Sequence, residues 1–135
     1  MDQKGSFGFK ESRVVGIVEL NYGLDGIMYA NVVEEQDDQV AAQKLFSLAI
    51  GEMTGGQKVP VLIEYAIMIL PSLESREYWA KEESSPFTSA EAFVMKQLPM
   101  RLIGNFYLNF NKPPRPTRVF SDRNKAIAWL KTFLT

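Results

Sequence analysis

The chain has 135 residues, a formal net charge of −1 and 46% hydrophobic residues, which is enough sequence for one globular domain with a core. It contains no Cys and no His, so disulfides, thiolate catalysis, Ser-His-Asp triads and the common zinc sites are excluded. The near-zero net charge gives no general attraction to nucleic acid or to an anionic membrane. A carboxylate site for Mg²⁺ or Ca²⁺ stays open, but the sequence predicts no cofactor and no metal centre.

The sequence shows neither a secretory signal in its first residues nor an apolar stretch long enough to span a membrane. Residues 1–12 mix Gly, Ser and charged residues without the apolar stretch of a signal peptide. The longest apolar run, residues 59–71, is shorter than the ~20 residues of a spanning helix. We therefore expect a soluble, cytoplasmic protein with a flexible arm over residues 1–12 and a single domain over residues 13–135. Phe7 and Phe9 could dock the arm on the domain or on a second subunit.

The first half of the domain is predicted to start with two strands and a helix. Residues 13–20 (RVVGIVEL) and 27–33 (IMYANVV) are rich in β-branched residues, and the short Gly-containing turn between them makes them antiparallel neighbours. A helix is predicted over residues 38–53 and ends before Gly55-Gly56. The apolar stripe expected to face the sheet consists of Ala41, Leu45, Leu48 and Ala49.

A nearly continuous apolar stretch, residues 58–65 (KVPVLIEY), indicates a strand covered on both faces in a parallel sheet. The connection that follows, AIMILP, is unusually apolar, whereas loops are normally polar because they run over the surface. It either packs under a helix, which we expect, or forms a binding patch. Ser72 is then the natural N-cap of a helix that reaches about Glu83.

The second half continues the alternation of strands and helices. A strand is predicted over residues 90–96, a helix over 97–109, a strand over 117–120, and a final helix capped by Ser121 or Asp122. The order is β-β-α-β-α-β-α-β-α. Such alternation predicts an α/β fold with a five-stranded, mostly parallel mixed sheet flanked by four helices.

Four segments of the chain resemble small bacterial SpoIIAA-like (STAS/Sec14-type) proteins, most of which have no assigned function. They are KVPVLIEY, SLESREYWAKEE, AEAFVMKQLPMRLIGNFYLNFNKPPRPTRVF and SDRNKAIAWLK. The resemblance extends from about Gly26 to the C-terminus. It implies the SpoIIAA-like (STAS) fold, a superhelix of successive β-α turns.

The resemblance also implies a candidate regulatory position. In anti-sigma factor antagonists, which are better-known relatives, a partner kinase phosphorylates a serine that starts the helix after the third strand. The matching position here is Ser72, with Ser75 next. The chain departs from the antagonist pattern, because Ile69-Leu70-Pro71 precede the serine and Glu74 would repel a phosphate. The alternative is that Ser72 is only a helix cap.

Two further groups of charged residues have a functional and a structural interpretation. Glu64 ends the third strand, where open α/β sheets place ligand sites; alternatively it is a hydrogen-bonded acid at the sheet edge. The basic residues of the C-terminal part could bind an anion or form a solvated rim. They are Lys112, Arg115, Arg118 and Arg123.

The leading functional hypothesis is a non-enzymatic regulatory or protein-interaction module. Its candidate surface consists of Glu64, Met68, Ile69, Leu70 and Glu74. The alternative is a carrier of a small apolar or lipid-like ligand, with a candidate pocket formed by Trp79, Phe93, Met95, Phe106 and Tyr107. An enzyme is the third possibility, since no catalytic constellation is apparent. A homodimer is a further option for the partner.

Overall fold

A six-stranded mixed sheet forms the centre of the computed structural model, which describes residues 8–134. The strands are β1 (Phe9–Val15), β2 (Val18–Gly23), β3 (Met28–Val32), β4 (Val59–Tyr65), β5 (Thr88–Val94) and β6 (Thr117–Phe120). The helices are α1 (Gln39–Met53), α2 (Leu73–Trp79), α3 (Leu98–Asn111) and α4 (Arg123–Lys131), with a 3₁₀ turn at Glu82–Ser84. The α/β class, the mixed sheet and the four helices are thus confirmed.

The strand order in the sheet is the order in the chain, β1-β2-β3-β4-β5-β6. The pairs β1–β2 and β2–β3 are antiparallel, whereas β3–β4, β4–β5 and β5–β6 are parallel. Each parallel pair is joined through a helix, as parallel neighbours require. Three of the five strand pairs are parallel, so the prediction of a mostly parallel mixed sheet is correct.

The prediction of five strands is wrong, because the stretch predicted as one strand is a hairpin. β1 and β2 are separated only by Gly16 and Ile17. Gly16 has a φ of 58° and Ile17 a negative φ, the pattern of a two-residue type II′ turn. The hairpin also includes residues 9–12, which belong to the predicted flexible arm. Residues 1–7, with Phe7, lie outside the described residues.

Phe9, the other aromatic residue of that arm, belongs to β1. Its ring meets the ring of Tyr29 edge-on, with the centroids 6.1 Å apart. Phe9 therefore packs on its own domain.

Two core clusters lie on opposite faces of the sheet. One contains Leu20, Met28 and Val61 together with Ile50 of α1. The other packs Ala126 and Leu130 of α4 against the central strands. Helix α3 lies on the same face as α1, because its Gly104 approaches Met95 and Val119. This arrangement leaves α1, α2 and α3 together over one face.

The stripe predicted for α1 is correct for Ala49, which is buried, and wrong for Ala41, Leu45 and Leu48, which are exposed. The buried side of the helix carries Ile50 and Met53 instead. The close approach at Gly51, where an added Cβ would lie 2.4 Å from the Phe87 ring, selects the face that packs inward. Because α1 is apolar on two sides, periodicity alone did not distinguish them.

Helix α2 is shorter than predicted. Its N-cap is Ser72, as expected, but it ends at Trp79 and gives way to the 3₁₀ turn. None of the helices within residues 8–134 is long and apolar enough to cross a membrane.

Candidate ligand cavity

A cavity of about 230 Å³ lies between the sheet and the three helices α1, α2 and α3. Alternate residues of a strand point to the same face. The floor of the cavity is therefore formed in part by Ile63 and Tyr65 of β4, by Phe93 of β5 and by Met95, which directly follows β5. The helices add Phe46, Trp79, Ile103 and Tyr107. Apolar and aromatic side chains that surround a concave space are typical of small-molecule sites.

The aromatic floor of the cavity is held by ring contacts. The rings of Tyr65 and Phe93 stack with centroids 6.4 Å apart and an angle of 9° between their planes. Trp79 meets Phe93 edge-on at 5.9 Å. These are favoured geometries for aromatic pairs, so the floor has a defined shape.

One end of the cavity is polar and centred on the buried Glu91. Its Oε1 accepts hydrogen bonds from Trp79 Nε1 at 2.6 Å, Arg115 Nη1 at 3.0 Å and Thr117 Oγ1 at 3.2 Å. The Oε2 atom receives no hydrogen bond from the described residues. Glu91 thus anchors three elements through one oxygen and lines the cavity as well.

Arg115 closes this end from outside the cavity. Besides Glu91, it donates to the carbonyl oxygens of Trp79 and Lys81 and to Ser84 Oγ, at 3.0 to 3.2 Å. The carbonyl oxygens are at the end of α2 and before the 3₁₀ turn. One buried guanidinium therefore fixes the proline-containing loop before β6 to the segment that follows α2.

Tyr65 lies near this polar end. Burial, and secondly the negative charge of Glu91, raise the pKa of its hydroxyl to about 12. The hydroxyl therefore stays protonated at physiological pH and is available as a neutral hydrogen-bond donor.

The second charged residue of the lining is Arg76 of α2. Its guanidinium carbon lies 4.3 Å from the centroid of the Tyr107 ring. The Nε atom is buried without a hydrogen-bond acceptor. No ion pair links Arg76 to a carboxylate within residues 8–134. Packing on Tyr107, and not a protein anion, positions this cation.

The apolar connection after β4 forms one rim of the cavity. Ile67, Met68 and Leu70 are 44%, 49% and 57% exposed, so the prediction that this connection packs under a helix is wrong for them. Ile69 is half-buried, and residues 68–70 line the entrance. The helices above are already packed on one another and on the sheet, which leaves this loop at the surface.

Most residues of the predicted apolar pocket come together. Trp79, Phe93, Met95 and Tyr107 line the cavity, but Phe106 lies outside it. Phe106 is 61% exposed and stacks on Phe110 with centroids 5.9 Å apart. Helix α3 is apolar on both sides, and only the side of Ile103 and Tyr107 faces inward.

The two candidate phospho-acceptors occupy different environments. Ser72 is the N-cap of α2, where its Oγ accepts from Ser75 N at 3.1 Å and its own N–H donates to Gln39 Oε1 at 2.8 Å. Ser75 is buried, and its Oγ accepts from Gln43 Nε2 at 2.6 Å. A kinase could reach Ser75 only after local opening. Glu74 beside them is exposed.

The predicted charged residues lie in different environments, and two of them form an ion pair. Glu64 Oε1 accepts from Arg123 Nε at 2.8 Å, which is the hydrogen-bonded acid at the sheet edge that the sequence allowed. Arg118 lies over the ring of Phe120, with 4.9 Å between its guanidinium carbon and the centroid. Arg115 is buried against Glu91. Lys112 is exposed at the C-cap of α3. The four basic residues therefore have different environments and do not form a common anion-binding rim.

Neither Arg76 nor Glu91 is a candidate from the sequence alone, and Arg115 is expected there in a solvated rim or an anion site. One signal was present: Glu91 lies between Ala90 and Ala92 in a largely apolar stretch, and a buried carboxylate needs a partner. Within residues 8–134, no group of three or more acidic side chains could hold a metal ion.

Comparisons with known proteins give a family without an assigned activity. No curated protein matches the chain. A crystal structure of a protein with unknown function from Arthrobacter sp. FB24 is 23% identical, over 82% of this chain and 96% of that chain, with a TM-score of 0.30. A family described as "Domain of unknown function (DUF7793)" matches residues 22–134. The chain therefore belongs to this family of domains of unknown function.

Proposed function

We propose that this protein is a non-enzymatic binding module that carries a small, largely apolar ligand in the cavity between the sheet and α1–α3. The observation that supports the proposal is the cavity itself, about 230 Å³ in volume and floored by stacked aromatic rings. Protein interiors are close-packed and contain few voids larger than a water molecule. A space of this size with an apolar lining is therefore suited to an occupant.

Two features fit the role of a carrier. The entrance is formed by residues 68–70, a loop without regular secondary structure that could move to admit a ligand. The opposite end is closed by the Glu91–Arg115 cluster, which ties the surrounding elements together. The cavity thus combines an entrance formed by an irregular loop with an end that is fixed by hydrogen bonds.

Native mass spectrometry of the protein purified from its own host tests this proposal. We expect a stoichiometric additional mass that is lost on denaturation. Ala42 lines the cavity from α1, whereas its neighbour Ala41 is exposed, so Ala42→Phe should remove the additional mass and Ala41→Phe should retain it. Absence of any bound mass from the unmodified protein would contradict the proposal.

We also propose that the fold is related to the SpoIIAA-like (STAS) superhelix. The support is that β3, β4, β5 and β6 are parallel, adjacent and in chain order, with a helix after each. Successive β-α turns of a superhelix give this order. The N-terminal hairpin is an addition to the expected pattern, and a cytoplasmic location stays a prediction.

A protein-interaction module is the second candidate function, and exposed apolar residues favour it. Leu98, Leu102, Phe106 and Phe110 are 58% to 67% exposed at a spacing of four residues along α3. We call this set the α3 stripe. Met68 and Met100 both line a second cleft, so the predicted surface around residues 68–70 adjoins the start of α3. Contiguous exposed apolar surface is typical of interaction sites.

A further inference from the structure

The charges of the cavity lining restrict the ligand further. Arg76 and Glu91 are the charged residues among the lining side chains. Glu91 is neutralised by Arg115 at 3.0 Å. Arg76 has no such partner within residues 8–134. The lining together with Arg115 therefore carries one uncompensated positive charge.

The guanidinium of Arg76 is available to a ligand. The guanidinium lies over the Tyr107 ring, and neither Nη donates to a described residue. A guanidinium presents parallel N–H donors that match the two oxygens of a carboxylate. In a partly desolvated site such a pairing is stronger than in water, since the surroundings are less polarisable.

The remaining surface fits an apolar body of limited size. An apolar cavity of about 150 Å³ can hold a benzene molecule, so the present cavity has room for a somewhat larger group than a single ring. Phe46, Phe93 and Met95 offer apolar contacts, and the protonated Tyr65 hydroxyl adds one neutral donor.

We infer that the ligand is a small amphipathic acid, with an apolar body in the cavity and a single carboxylate-like anionic head paired with Arg76. This inference rests on the proposed function, because it names the chemical class of the carried ligand. Arg76 is a binding residue in this proposal. Glu91 and Arg115 form the closed end and do not contact the head group.

Calorimetric titration with three probes that share one apolar body tests the inference. The probes are octanoate, octan-1-ol and octylamine at neutral pH. We expect octanoate to bind at least about tenfold more tightly than octan-1-ol, because an ionic hydrogen-bonded pair contributes that much. Octylamine should bind most weakly, since its ammonium group would be repelled by Arg76.

Two variants separate the role of Arg76 from a general effect of charge. Arg76→Gln should weaken octanoate binding about tenfold and leave octan-1-ol binding unchanged. Arg118→Gln is the matched control, because Arg118 stacks on Trp129 of the opposite face. It should change neither affinity. Circular dichroism melting checks that each variant is folded.

The outcomes distinguish the inference of an acidic ligand from the proposed function as a carrier. Equal affinities for octanoate and octan-1-ol, or an unaffected Arg76→Gln variant, would overturn the acidic ligand and leave the apolar carrier standing. An equal loss in Arg118→Gln would overturn the assignment of the head group to Arg76. No binding of any of the three probes would overturn both the inference and the proposed function.

Discussion

Arg115 and Glu91 form an ion pair with 3.0 Å between Nη1 and Oε1, although their side chains are only 6% and 5% exposed. The pair joins the loop before β6 to the middle of β5, 24 residues earlier in the chain. Removing two charges from water is costly, and further hydrogen bonds to the guanidinium and to Oε1 of the carboxylate offset part of that cost. Trp79 and Ser84 supply these bonds.

Breaking this pair from one side should destabilise the protein strongly. Arg115→Met leaves a buried, unpaired carboxylate and should lower the free energy of unfolding by about 3–5 kcal/mol. Arg123→Met is the matched control, because the Arg123–Glu64 pair is partly exposed and should contribute less than ~1 kcal/mol. Urea denaturation measures both.

The double variant Glu91→Met/Arg115→Met should lose less stability than the sum of the two single variants, since it leaves no unpaired charge. A cost for Arg115→Met no greater than that for Arg123→Met would contradict the structural role of the pair.

The raised pKa of Tyr65 predicts a loss of stability at alkaline pH. The pKa is about 12 in the folded protein, against ~10 for an unfolded tyrosine. Between these values the unfolded chain has lost the proton that the folded protein retains, so the free energy of unfolding falls as the pH rises. Tyr65→Phe should flatten this slope.

Urea midpoints of Tyr65→Phe and the unmodified protein at several pH values from 7 to 11.5 measure this effect. Tyr29 contributes in the same direction, because burial and its hydrogen bond to Asp25 raise its pKa as well. The slope should therefore be reduced and not abolished. Identical slopes for the two proteins would show that the Tyr65 hydroxyl is solvated.

Gly16 should tolerate Asn better than Ala. Its φ of 58° lies in the left-handed region, and a Cβ added there would have no atom within 4 Å. The decrease in the free energy of unfolding caused by Gly16→Ala therefore comes from backbone strain and should be about 1 kcal/mol. Gly16→Asn should cost less, because Asn adopts this conformation more readily. An Ala variant as stable as the Asn variant would mean that the turn differs.

The α3 stripe should be dispensable for folding and necessary for any association of the protein. Leu102→Glu/Phe106→Glu should change the free energy of unfolding by no more than ~0.5 kcal/mol per site, because both residues are exposed. Asn105→Glu is the control on the polar side. Self-association is measured by light scattering, and partner binding by capture from host extract. Both should be lost only in the double variant. Unchanged association would exclude this surface.

The types of the secondary-structure elements were predictable in the C-terminal half, because the hydrophobic pattern there agrees with the proline and helix-cap residues that mark the ends of the elements. The strand Thr117–Phe120 was predicted with the bounds that the structure has, since prolines precede it and Asp122 caps the next helix. In the N-terminal half, Gly16 inside a β-branched run gave no clear turn signal. A single glycine can mark a bulge or a turn, and only the pairing of Val15 with Val18 decides between them.

The site was predictable in its aromatic part and not in its charged part. Trp79, Phe93 and Tyr107 were candidates because large apolar side chains recur at helical or strand spacing. Arg76 and Arg115 have the same local context as any surface arginine. Their burial depends on which loop closes over which strand, and a single sequence does not specify that long-range geometry.

The central claim, that the cavity binds a small apolar ligand, is tested most directly by methyl NMR of the methionines during a titration with octanoate. Met95 and Met100 line the cavity, whereas Met28 is fully buried in the core away from it. We predict saturable shifts of the Met95 and Met100 methyl signals, an unshifted Met28 signal, and no response in Ala42→Phe. Unshifted Met95 and Met100 signals at millimolar octanoate would contradict the claim.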